Sequence, residues 1–223
     1  MAEAKLDYKK AYPDLYLPKT KPSVIDVPAM GFIMVAGKGD PNEENGEYQR
    51  AVGILYGLAF TIKMSKLSGS QPDGYFDYVV PPLEGLWWNE GEPFNGITVN
   101  DKSAFSWISM IRQPEFVTPE VFAWAADEAS RKKPELDMSL ARFETWHEGL
   151  CAQVMHKGPY DDEPATIIAL DRFIEEQGYA SDFSDDQEAF PIARRHHEIY
   201  LGDPRRSKPE NMKTVIRHPI RTA

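Results

Sequence analysis

The sequence predicts an α+β fold made of two similar strand–helix–strand–strand units related by a pseudo-twofold axis. Antiparallel sheets would carry helices on one face and a ligand cleft on the other. Three observations point there. Segments of strand and helix period follow in the order strand, helix, strand, strand, a linking helix, then strand, helix, strand, strand. The first strand of each unit runs into a glycine-bearing turn, Gly37-Lys38-Gly39-Asp40-Pro41-Asn42 in one and Gly158-Pro159 in the other. Finally, 223 residues with 42% hydrophobic content are ample for a core.

Residues 1–22 are polar, carry Pro13, Pro18 and Pro22, and read as an extended arm that Tyr12, Leu15, Tyr16 and Leu17 can anchor. The domain proper spans 23–223, with halves at about 23–115 and 140–223. Val24 to Val27 and Phe32 to Ala36 form a strand entered through a bend. Tyr48, Ala51, Val52, Leu55, Ala59 and Ile62 recur at helical spacing up to Ser68-Gly69-Ser70. Tyr75 to Val80 and Phe105 to Ile111 read as strands, the second preceded by a turn at Val99-Asn100-Asp101-Lys102. Thr118-Pro119-Glu120 starts a helix with a capping hydroxyl, a first-position proline and a first-turn acid. Arg142 to Lys157 reads as strand bent at Gly149; Ile167, Leu170, Phe173 and Ile174 trace a helix ending at Gly178. His196 to Leu201 and Lys213 to Ile220 close the second unit.

Composition excludes several classes. A formal net charge of -10 argues against nucleic-acid binding and anionic membrane surfaces. The lone Cys151 excludes an internal disulfide and fits a reducing cytoplasm. The N-terminal residues lack the apolar core of a signal peptide, and no apolar run reaches transmembrane length. Aromatic residues reach 12%, with five tryptophans.

The most informative segment is His196-His197-Glu198-Ile199-Tyr200-Leu201. In a strand, His197, Ile199 and Leu201 share one face, which reads as an apolar back, and His196, Glu198 and Tyr200 share the other. Glu198 is either a pocket carboxylate or the partner of an arginine such as Arg194 or Arg217. Trp87, Trp88, Trp107 and Trp146, with Tyr78 and His196, are candidate ligand walls, and the Trp87–Trp88 pair reads as a loop that closes as a flap. Adjacent His196 and His197 point to opposite faces and do not chelate one ion, so no metal is expected. Cys151 has no oxyanion motif beside it, and Gly37-x-Gly39 lacks the lysine-serine ending of a phosphate loop.

Several segments are similar to the GyrI-like small-molecule-binding family: Asp14-Leu15-Tyr16-x-Pro18-Lys19, Gly37-Lys38-Gly39-Asp40-Pro41-Asn42, Pro82-Leu83-Glu84-Gly85-Leu86-Trp87-Trp88, His156-Lys157-Gly158-Pro159-Tyr160, and His197-Glu198-Ile199-Tyr200-Leu201-Gly202-Asp203-Pro204 with Lys213-Thr214-Val215-Ile216-Arg217. The resemblance implies a pair of such units, of the SHS2 type, around a ligand cleft, with Glu198 at the position where drug-sensing members place a buried glutamate. About 22 residues precede the first core strand, too few for the helix-turn-helix of those regulators. The Leu-Trp-Trp block is similar to a stand-alone branch that hydrolyses cyclopropanoid genotoxins. That likeness implies a protective cytoplasmic hydrolase acting without a cofactor, as monomer or homodimer, on a bulky aromatic molecule. Glu198, its pKa raised by desolvation, would activate water, and Tyr160 or Tyr200 would donate to the oxygen that gains charge. The alternatives are a non-catalytic drug-sequestering protein or a modulator of a larger partner such as a topoisomerase.

Overall fold

A computed structural model describes residues 5–89, 95–97, 101–202 and 207–223. Residues 99–100 of the expected turn and the Asp203-Pro204 end of the last motif lie outside them. The long strands are β1 (Ser23–Lys38), β2 (Leu83–Asn89), β3 (Phe105–Arg112), β4 (Ala141–Lys157), β5 (His196–Tyr200) and β6 (Lys213–Thr222). The helices that cover them are α1 (Glu47–Met64), α2 (Pro119–Lys132) and α3 (Glu163–Glu176). Thr118 caps α2 through the Val121 amide, as its sequence requires.

The strands run β4–β1–β3–β2–β5–β6 and are all antiparallel. A further β4–β6 pairing closes the circuit, and Tyr179–Ser181 adds a short seventh strand beside β6. The expected α+β duplication is therefore present. The halves join along two seams, β1 against β4 and β2 against β5. Lys38 faces Ser106 in one half and Lys157 faces Lys213 in the other, each pair next to its turn glycine. Counting along the ladders from there equates Met110 with Arg217, Glu84 with His197, and Gly85 with Glu198. Gly85 and Glu198 face each other, so the pseudo-twofold axis passes through that pair.

The helices occupy the outward face. Ile167, Leu170 and Ile174 of α3 pack on Ala152, Val154, Ile216 and Ile220, while α1 packs on β1 and β3. Glu198 pairs with Ile216 and Gly85 with Ser109, so both belong to this helical face. The cleft opens there, between α1 and the start of α3, and not on the opposite side as expected. The opposite side is not free, because the closed circuit turns it inward.

The arm seals that inward face. It forms two single helical turns, Tyr8–Ala11 and Pro13–Tyr16, and buries Tyr8, Leu15 and Tyr16. Arg217 Nη2 donates to the Leu15 carbonyl at 2.8 Å and Gln153 Nε2 to that of Asp14 at 2.6 Å. The Arg112 guanidinium lies 4.5 Å from the ring centroids of both Tyr8 and Tyr12. The expected strand at Tyr75–Val80 shrinks to Tyr78–Val79, paired with Leu6–Asp7, because Tyr75, Phe76 and Tyr78 cluster around Phe116. Among the described residues no helix is long and apolar enough to cross a membrane.

Candidate functional site

A groove of about 2030 Å³ runs along α1. Tyr48, Val52, Tyr56 and Phe60 form one wall, Trp87, Phe105 and Tyr200 lie along it, and Tyr160, Glu163 and Glu198 close one end. Strand alternation presents Glu198 and Tyr200 to this face, and pairing of β2 with β5 brings Trp87 beside them. Gly85 makes room for the group. A Cβ there would lie 2.7 Å from Trp87 Nε1 and 3.2 Å from the Tyr200 hydroxyl.

Hydrogen bonds hold Glu198 on both oxygens. His196 Nε2 lies 2.9 Å from Oε1, and the Tyr200 hydroxyl donates to Oε2 at 2.7 Å. Trp87 Nε1 donates to the Tyr200 oxygen at 2.9 Å. An indole N–H can only donate, so the Tyr200 hydrogen is directed to Glu198. Among the described residues the partners of Glu198 are thus an imidazole and a phenol, not Arg194 or Arg217. Arg217 pairs with Glu148 on the inward face, and Arg194 with Asp182.

The second carboxyl group of the site was not singled out in the sequence. Glu163 is buried at the first position of α3, and its Oε1 has no hydrogen-bond partner among the described residues. Burial and then the Glu198 charge push its pKa up to about 10. Its place in the first turn of a helix favours the ionised form by only about 0.3–1 kcal/mol, too little to reverse this. Burial also pushes Glu198 upward, but the His196 bond and charge, the Tyr200 bond and the His197 charge outweigh it, and its pKa is held below the ordinary carboxylate value. That departs from the expected rise. Two adjacent carboxyl groups split their ionisation, so Glu198 carries the charge and Glu163 carries the proton. Burial and the Glu198 charge hold the Tyr200 phenol well above its usual range.

The structure places the other expected site residues as follows. Glu198, Tyr200, Tyr160 and Trp87 meet at one end of the groove, and Tyr160 packs edge-on against Tyr200 at 5.8 Å between centroids. Tyr78 lines the groove as well, apart from this cluster. Trp87 and Trp88 form no flap: both are buried within β2 and point to opposite faces. Trp88 lies under Arg195, 3.7 Å from its guanidinium. Trp146 packs on Phe32 and His197 of the inward face. Trp107 is fully buried beneath Tyr48. His196 does not line the groove and instead holds Glu198 from behind. Beyond Glu163, Tyr48, Phe105 and Trp124 of α2 line the groove without having been singled out in the sequence. The signal for Glu163 was present: an acid immediately before the proline that opens the α3 helix.

Paired antiparallel units enclosing an aromatic groove with a carboxyl pair at one end define a small-molecule-binding domain. The sequence pattern of the GyrI-like small-molecule-binding domain matches residues 20–221, and the chain belongs to that family. It is similar to a conserved protein from Listeria innocua described as uncharacterized, at 48% identity and a TM-score of 0.87 over 97% of this chain and 100% of that one. It is also similar to a hydrolase from Listeria innocua, at 46% identity and a TM-score of 0.85 over 98% of this chain and 100% of that one. The EcmrR C-terminal domain, 12% identical with a TM-score of 0.52 over 91% of this chain and 98% of that one, shares the fold. No curated protein matches the chain.

Proposed function

We propose that the protein binds flat, bulky aromatic molecules along α1 and hydrolyses members that carry a strained cyclopropane conjugated to a carbonyl. The observation that carries this reading is the split carboxyl pair, ionised Glu198 beside protonated Glu163, at the end of an aromatic groove. The Listeria innocua hydrolase structure, 46% identical over nearly the whole chain, supports an enzymatic role.

Water attacks a ring carbon and gives its proton to Glu198. The carbon–carbon bond of the cyclopropane breaks, its electron pair passes to the carbonyl oxygen, and Glu163 protonates that oxygen. Tyr200 is a weaker donor candidate than Glu163, since its hydrogen is committed to Glu198. Tyr160 serves as a wall beside the pair. General acid–base assistance of this kind contributes about 10²–10⁴-fold each.

A non-catalytic binder is the second reading, and one observation favours it. A carboxylate held ionised among aromatic rings attracts cationic aromatic ligands with no chemistry at all. Glu198→Gln separates the two. Under the hydrolase reading, this variant still quenches tryptophan fluorescence on binding a cyclopropanoid ligand but loses at least about 100-fold in turnover. Turnover at the wild-type rate would sink the base role.

A further inference from the structure

Behind Glu198 a chain of buried side chains leads away from the groove. His196 Nδ1 lies 2.9 Å from His218 Nε2, and His218 Nδ1 lies 3.0 Å from Asp171 Oδ1 on α3. Both imidazoles are 0% exposed, whereas the Asp171 side chain is 28% exposed. The enclosure is tight. A Cβ on Gly96 would come within 2.6 Å of both His196 and Ile167, and Phe183 packs edge-on against His218 at 4.9 Å.

Three hydrogen bonds link Asp171, His218, His196 and Glu198, and each needs one hydrogen. Two neutral imidazoles supply only two. The chain therefore holds one additional proton, placed on Glu198, on a ring or on Asp171. We propose that Asp171, His218 and His196 are positioning residues that share this proton with Glu198 and keep it off the Glu198 carboxylate. The inference rests on the reading of Glu198 as the base.

The Asp171 charge stabilises the proton at the far end of the chain, and the Tyr200 hydrogen at Oε2 stabilises the ionised carboxylate at the near end. Burial opposes a charge on His218, which leaves it suited to accept from His196 and donate to Asp171. Among the described residues the other titratable groups near Glu198 are Glu163 from α3, Tyr48 from α1, Tyr160 from the turn before α3 and, through its own strand, His197. All of them remain in place when Asp171 is changed. The logic is that of a carboxylate orienting a catalytic imidazole, with a second imidazole interposed.

The test follows the carbon-13 carboxyl signal of Glu198 through a pH titration of the ligand-free protein. In Asp171→Asn the titration midpoint rises by one pH unit or more, about tenfold in protonation. Asp171→Glu restores the wild-type midpoint, and His218→Gln shifts it in the same direction as Asp171→Asn. An unchanged midpoint in folded Asp171→Asn overturns the proposal. The acid limb of kcat/KM against pH is measured on the same variants. If it moves with the midpoint, relay and base role both stand. If the midpoint moves and the limb does not, the relay stands and the base role fails.

Discussion

His196 and His197 are neighbours in one strand, both buried, yet their surroundings give them opposite work. His197 faces inward between two carboxylates, with Nδ1 3.0 Å from Glu148 and Nε2 3.0 Å from Glu84. Both nitrogens must donate, so the ring is a fixed cation. Burial opposes that charge, but Glu148 and Glu84 together raise its pKa. Arg217 donates to the same Glu148 at 3.0 Å and on to the arm, so Glu148 bridges two cations within the closed sheet. His196 faces outward between an imidazole and a carboxylate, where the hydrogen count leaves a shared proton. Two acceptors around a ring immobilise its charge and make structure. One acceptor and one ring leave a proton free to shift, and that suits chemistry.

The inward face is the place to break this contrast with the largest effect. Glu148→Gln leaves His197 and Arg217 with one carboxylate between them, and we expect a loss of about 3–5 kcal/mol in chemical denaturation. Glu148 is held down to about 2 against an ordinary 4.5: burial opposes this, but the His197 and Arg217 charges prevail. A depressed carboxylate contributes stability above its unfolded pKa and loses it as pH falls. The gap between wild type and variant is therefore full above about pH 4.5 and closes toward pH 2. A gap that persists at pH 2 would contradict the assignment.

On the outward face the sign reverses. Glu163 has its pKa raised to about 10, so its contribution is full below 4.5 and is lost as pH rises toward 10. Glu163→Gln removes a group whose ionised form the fold disfavours. It should gain about 1–3 kcal/mol near pH 7 and nothing below pH 4.5, while turnover falls. Thermal melts at the two pH values check this. Next in size, Gly85→Ala pushes a methyl group against Trp87 and Tyr200 and should cost about 1–2 kcal/mol together with most of the activity, since it disturbs Tyr200 at Glu198. The smallest effect sharpens the contrast between faces. Trp87→Phe removes one hydrogen bond, worth about 0.5–1.5 kcal/mol, and abolishes most ligand-induced quenching, whereas Trp88→Phe leaves quenching intact.

Much of this was legible in the sequence. Period-two alternation put Glu198 and Tyr200 on one face, and the cap at Thr118 and the break at Gly178 bounded helices that the structure contains. What failed did so for tertiary reasons. The apolar back expected at His197 is a buried ion network, because its partners Glu84 and Glu148 come from β2 and β4, distant in the chain. Trp87 and Trp88 looked like a loop after Pro81-Pro82, but pairing with both β3 and β5 recruits them into a strand. Alternation located His196 on the right face but could not show that Gly96 packs against its ring. Glu163 reads as an ordinary first-turn acid until α3 is set against β5.

Direction of water by Glu198 onto a bound electrophile is tested by incubating the protein with an excess of a cyclopropanoid compound in oxygen-18 water and weighing the product. One heavy oxygen per product molecule and many products per protein are expected. Recovery of the intact compound from a protein that binds it would contradict the hydrolytic role.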